Sequence, residues 1–162
     1  MSALPLPLPA EGTAPRVVLD TNVVMSLWHY RHPRMMALRE WMERRRAVLL
    51  TREECLDELE RVLGLKDFDL APALRAELLV DYRSRCLVCA APTREQTEAA
   101  RALPQCRDRD DQMFLRLAWE TGAHLLLTRD KRLLAMNRYA PWADRTAIIT
   151  PERLQKHLDG LT

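Results

Sequence analysis

The stretch Arg16-Val17-Val18-Leu19-Asp20, directly after Pro15, decides the fold. Its β-branched and apolar residues run without polar alternation, as in a short strand buried on both faces, and the run stops at an acid. Three more runs share this character: Ala47-Val48-Leu49-Leu50-Thr51, Cys86-Leu87-Val88-Cys89-Ala90 and His124-Leu125-Leu126-Leu127-Thr128. Arg145-Thr146-Ala147-Ile148-Ile149-Thr150 makes a fifth. Helical stretches lie between them. Strands alternating with helices imply βαβ crossovers, so the expected fold is a three-layer α/β/α sandwich around a mostly parallel sheet of about five strands.

The helix starts are marked by capping chemistry. Thr51-Arg52-Glu53-Glu54 and Thr93-Arg94-Glu95-Gln96 both have the form of a capping box, in which a hydroxyl and a carboxyl or amide three residues on satisfy orphan backbone donors. Thr150-Pro151-Glu152 places a good N-cap before a first-turn proline, predicting a last helix to about Leu158. From Pro72 to Arg85, Leu74, Leu78, Leu79 and Tyr82 recur at helical spacing, which predicts an amphipathic helix packed on the sheet.

With 162 residues, 48% of them hydrophobic, the chain can enclose one sizeable core. The Leu-Pro repeats of residues 1–15 suit an extended, poorly ordered tail, leaving 16–162 as a single domain. Proline also interrupts any apolar stretch that could act as a signal peptide, and no run approaches the ~20 apolar residues needed to span a bilayer. Four scattered cysteines without a secretory leader point to reduced thiols and a cytoplasmic protein. Lys+Arg 25 against Asp+Glu 23 is too balanced to announce a polyanion partner, so such a partner has to be sought in local patches.

The acids fall at informative places. In an open parallel sheet, ligands bind beyond the carboxyl ends of the strands, where loops converge. Asp20 follows its strand directly, and Asp130 comes shortly after Leu125 to Leu127, so both should project from one edge. Each alone would also serve as an ordinary helix cap. Glu58 and Glu60 flank the stripe Cys55, Leu56, Leu59, Val62 and Leu63 at nearly equal angles, and periodicity does not choose between them. Asp57 and Arg61 point away from that stripe. Asp108, Asp110 and Asp111 crowd one helix start, where Asp108 can cap; three acids exceed what one cap needs. Asp111 stands above Phe114, Leu115 and Ala118, which turns it toward the packed face.

In this order and spacing, Val18-Leu19-Asp20-Thr21-Asn22, Glu58-Leu59, Arg107-Asp108-Arg109-Asp110-Asp111 and Leu127-Thr128-Arg129-Asp130 resemble the PIN domain, in particular bacterial toxin components of toxin-antitoxin systems. The likeness runs from about Arg16 to about Leu154. It implies that Asp20, Glu58, Asp111 and Asp130 are catalytic, metal-binding acids, preferring Glu58 to Glu60 and Asp111 to Asp110. It gives Asn22 and Thr128 supporting places beside them, with Asp108 at the helix start. One departure stands at Arg129, where related sequences commonly have glycine. Arginine adopts glycine's left-handed geometry at a cost, so Asp130 is the acid whose orientation the resemblance constrains least.

Such a set has a clear chemistry. Two unit charges ~5 Å apart at an effective dielectric of ~20 repel by about 3 kcal/mol, so clustered carboxylates call for a cation. Oxygen donors without His or Cys favour a hard ion, Mg²⁺ or Mn²⁺, able to activate water for attack on phosphorus. The resemblance therefore implies a metal-dependent endoribonuclease, with RNA as substrate and an antitoxin protein and a homodimer as possible partners. Arg107, Arg109 and Arg129 interleave with the acids as substrate-binding candidates, with Arg31, His32, Arg34, Arg39, Arg44 to Arg46, Lys131 and Arg132 nearby in sequence. Trp28, Tyr30 and Trp41 could stack bases or pack in the core; their exposure decides. Cys86 and Cys89 have half-zinc-site spacing, but three residues apart on a strand they face opposite ways. Two rivals stand beside the nuclease: a non-catalytic module of the same fold that binds RNA or protein, and a phosphatase with Asp20 as nucleophile, a class that wants an aspartate where Asn22 stands.

Overall fold

The computed structural model describes residues 6–30, 32–139 and 145–160. Five strands form one parallel sheet: β1 (Arg16–Leu19), β2 (Val48–Thr51), β3 (Cys86–Val88), β4 (Leu125–Leu127) and β5 (Ala147–Ile149), in the order β3-β2-β1-β4-β5. The register aligns Val17 with Leu49 on one side and Leu125 on the other, and Leu127 with Ile149. After β1 the chain steps outward to β2 and β3, then returns to lay β4 against the other side of β1. The gap between the carboxyl ends of β1 and β4 is therefore the point where the winding reverses and where such sheets bind ligands.

Successive strand residues face opposite layers, so both faces must be covered. Val17, Leu19, Leu49, Leu125, Leu127 and Ile149 pack on one side. That side is covered by α1 (Thr21–Val24), a π-helical turn (Met25–His29), α2 (Pro33–Arg44), α3 (Glu53–Leu63), α4 (Pro72–Arg85) and α8 (Pro151–Asp159). Val18, Leu50, Leu126 and Ile148 pack on the other side with Phe114, Leu115, Leu117 and Ala118 of α6 (Arg109–Thr121) and Leu133 of α7 (Lys131–Leu134). Fully burying each such side chain is worth about 1.5–3 kcal/mol, which makes the three layers the main source of stability. The short α5 (Arg94–Ala100) precedes α6.

Several local expectations hold and some are corrected. Thr93 forms its capping box with Gln96, and Thr150 caps α8 by accepting from the Arg153 amide. Thr51 does not cap: it is the last residue of β2, its carbonyl accepts from the Cys89 amide, and α3 starts one residue later with Arg52 at the N-cap. The ladder claims Thr51 before the helix can. Helix α4 spans the expected residues but is half-packed, with Tyr82 buried, Leu78 and Leu79 partly so and Leu74 exposed, because it lies over the sheet's β3 end. The described part of the N-terminal tail is held rather than loose. Leu6 and Leu8 pack against the core, and Arg45 donates to the carbonyls of Pro9, Ala10 and Thr13. Among the described residues no helix is long and apolar enough to cross a membrane.

Candidate active site

Asp20 lies one residue past β1, and its amide donates to the Leu127 carbonyl at 3.0 Å, continuing the β1-β4 pairing. Its side chain turns inward and is only 5% exposed. Thr128, fully buried at the end of β4, donates its hydroxyl to Asp20 Oδ2 at 2.7 Å and accepts from the Asp130 amide at 3.0 Å. One hydroxyl thus ties both acids to the sheet edge. Burial drives the Asp20 carboxyl above its ordinary range, even against the Thr128 hydrogen bond, and the charges of Asp130 and Glu58 push the same way.

Asp111 comes to the same place from the first turn of α6. Its Oδ2 is buried without a hydrogen-bond partner. Its carboxyl is pushed up to about 7, first by burial, then by a hydrogen bond to Asp130 and by repulsion from Asp130, Asp20 and Asp108. Asp108 caps α6, accepting from the Asp110 amide at 3.0 Å, and binds Arg132 at 2.9 Å. Asp130 caps α7 in the same manner through the Arg132 amide.

Glu58 is in reach of Asp20 electrostatically, but both its oxygens are held by the fork of Arg61 at 2.9 and 3.0 Å. Arg61, read from periodicity as pointing away, is 61% exposed yet reaches back along the helix to Glu58, which is 22% exposed. The (i, i+3) spacing of Glu58 and Arg61 was the available signal for this pair.

Glu58, Asp111 and Asp130 therefore all lie within electrostatic reach of Asp20, and Glu60 and Asp110 stay exposed. Among the described residues, no three acid, histidine or cysteine side chains are arranged to hold a metal as they stand. Two observations nonetheless fit a hard cation there: the orphaned Oδ2 of Asp111, and the arginine already serving as counter-charge to Glu58. An exposed pair of that kind is weak, so an entering ion could displace Arg61 cheaply. Asp20, Glu58, Asp111 and Asp130 would be its ligands.

The PIN domain family model matches residues 16–132. The chain belongs to the PIN domain family. That match takes in all four acids and stops before β5 and α8, short of the Leu154 limit expected from the motifs. PIN domains have a nuclease-type fold and generally use divalent metal ions. No curated protein matches the chain.

The remaining candidates of this PIN domain fall into distinct places. Asn22 is exposed at the start of α1 and its side chain makes no hydrogen bond among the described residues. Arg129 has no left-handed backbone, so the missing glycine costs nothing here. Its guanidinium is engaged by Glu152 at 2.8 Å, by the Ser26 hydroxyl at 2.7 Å and by Met35 Sδ, away from a substrate role. Trp28 and Trp41 are buried core residues, Trp28 edge-on to Tyr82, while Tyr30 is 57% exposed. Cys86 and Cys89 pack toward opposite layers. Arg31 lies outside the described residues.

Sequence reading missed what sets the two site-bearing helices. Arg52 and Glu120 form an ion pair at 2.5 Å with side chains 5% and 4% exposed. Arg52 also donates to the Ala90 carbonyl, and Arg116 completes the set on Glu120. This cluster joins the start of α3, which carries Glu58, to the end of α6, which carries Asp111.

Proposed function

We propose that this PIN domain is a metal-dependent endoribonuclease, cleaving RNA phosphodiester bonds with Asp20, Glu58, Asp111 and Asp130 around Mg²⁺ or Mn²⁺. The observation that carries this reading is the carboxyl of Asp20, buried and raised at the winding reversal of the sheet, with three other acids in electrostatic reach of it. Burial of like charges at that cost is hard to explain without a cation that joins them.

A bound divalent ion would supply charge neutralisation and Lewis acidity toward a phosphoryl oxygen. Asp20 is held by the Thr128 hydroxyl, which fixes its Oδ2 at the sheet edge where a ligand would meet the carboxyl. Asp111, its carboxyl pushed up to about 7 by burial and by the neighbouring acids, would release its proton on ligating the ion. Burial of Asp20 keeps most water from its carboxyl and strengthens the charge interactions it makes.

Replacing Asp20 by Asn tests this. Cleavage of labelled RNA in Mg²⁺ or Mn²⁺ should fall by at least roughly a hundredfold, as for removal of one preorganised charged group, while the thermal midpoint is kept or raised. Unchanged cleavage would sink the nuclease. A second reading, a non-catalytic module binding RNA or protein, is favoured by the pairing of Glu58 with Arg61; RNA binding without cleavage in either ion would select it. In the nuclease reading we also place the protein as the toxin of a toxin-antitoxin pair, with an antitoxin covering the acid rim and a homodimer as the working form. Expression should then arrest growth, and D20N should relieve the arrest.

A further inference from the structure

A cleft of about 860 Å³ runs beside α6, outside the acid cluster. Arg101, Arg107, Arg109 and Arg116 line it, with Glu54 as the acid among its lining residues. Arg109, Gln112, Met113 and Arg116 recur along α6 at one-face spacing and make its floor. Its far wall is built rather than loose. Gln112 accepts from the Cys106 amide at 2.6 Å and donates to the Pro104 carbonyl at 3.3 Å, and Gln105 donates to the Leu103 carbonyl at 2.8 Å.

The charges divide into two kinds. Arg101 is answered by Glu98 at 3.2 Å and Arg116 by Glu120 at 3.2 Å. Arg107 and Arg109 are exposed and form no ion pair or side-chain hydrogen bond among the described residues. They stand at the N-terminal end of α6, while Asp111 turns to the other side of the same helix end, at about 100° per residue. The first turn of α6 thus carries both Arg109 of the cleft and the acid Asp111.

Resting on the nuclease reading above, we propose that this cleft binds the sugar-phosphate backbone of single-stranded RNA on one side of the cut. Arg107 and Arg109 each grip a phosphate, for which the guanidinium fork is suited. Single-stranded RNA fits because Asp20 is only 5% exposed, so that a flexible strand can bring a phosphate close to it more readily than a stiff duplex.

The test is binding without cleavage. Fluorescence anisotropy with a single-stranded RNA of roughly 12 nucleotides, in EDTA, gives affinity over a salt series. The double variant R107A/R109A should bind roughly tenfold or more weakly, and the slope of log K against log salt should flatten by about 1.4, or about 0.7 for each phosphate no longer neutralised. The control R153A/K156A removes the same charge from positions on α8, remote from the cleft, and should leave slope and affinity unchanged. Equal losses in the two variants would reduce the effect to net charge and overturn the cleft. So would an unchanged R107A/R109A, tighter binding of duplex RNA, or no RNA binding by the intact protein. Because the assay contains no divalent ion, its outcome is separate from that of D20N. Cleavage without cleft binding defeats this proposal alone, and cleft binding without cleavage defeats the nuclease alone.

Discussion

The acid cluster has two halves built on different principles. Asp20 and Asp130 are borne by the sheet: backbone register sets β1 against β4, and a single hydroxyl, Thr128, fastens both. Glu58 and Asp111 are borne by α3 and α6, whose mutual placement depends on the buried Arg52-Glu120 pair some distance from the acids. The sheet half is fixed by main-chain hydrogen bonds that almost any apolar sequence could supply. The helix half hangs on a few side chains, so single substitutions should reach it more easily.

The largest effect should come from breaking the buried pair. E120Q leaves Arg52 and Arg116 facing a neutral amide in the interior, and removing one partner of such a pair costs about 3–5 kcal/mol. Urea denaturation should show that loss, and cleavage should fall with it as α3 and α6 shift. A change under ~1 kcal/mol would mean that packing alone places the helices.

On the sheet half, T128V keeps the shape of the side chain but removes its hydroxyl. Without that buried bond to a carboxylate the fold should be less stable by about 1–3 kcal/mol, and T128S should recover most of it. If T128V proved as stable as the parent, the hydroxyl would not be the fastening it is taken for.

Asp111 separates the halves by pH. Its carboxyl titrates at about 7 in the fold against an ordinary 3.8. Between these values the native protein holds a proton that the unfolded chain has released, so without a divalent ion stability falls as pH rises through this window. Asp20, also raised, contributes in the same direction. D111N cannot ionise. Relative to the parent it should gain about 1–2 kcal/mol above pH 7, allowing for solvent screening of a partly exposed group, and gain nothing at pH 4. Melting curves across that range decide it, and added Mn²⁺ should erase the difference.

The smallest effect is expected at Arg61. R61A frees Glu58 from a weak, exposed pair, so Mn²⁺ should bind about twofold more tightly by calorimetry. Weaker binding would show that Arg61 holds Glu58 in place for the ion rather than competing with it.

Much of the frame was readable in advance. The five apolar runs became the five strands to within two residues at either end, because residues buried on both faces leave an unbroken hydrophobic signal. Thr51 misled because its capping pattern is local, whereas the ladder that claimed it pairs with β3, far along the chain. Glu58 against Glu60 and Asp111 against Asp110 were beyond periodicity, since a helix wheel fixes an angle and not which neighbour stands across the gap. Arg129 looked like a substrate-binding residue from its place among the acids; Glu152, 23 residues away, engages it instead.

What the sequence determined by itself was the alternation of strands and helices and the presence of acids at strand ends and helix starts, because these depend on short-range patterns of burial and capping. The tertiary structure alone decided that Asp111 stands close enough to Asp130 for the two to repel, that Arg61 occupies Glu58, and that Arg52 meets Glu120 across 68 positions. Those pairings are set by distances in space and by the loss of solvent around each group, quantities that exist only once the chain has closed on itself.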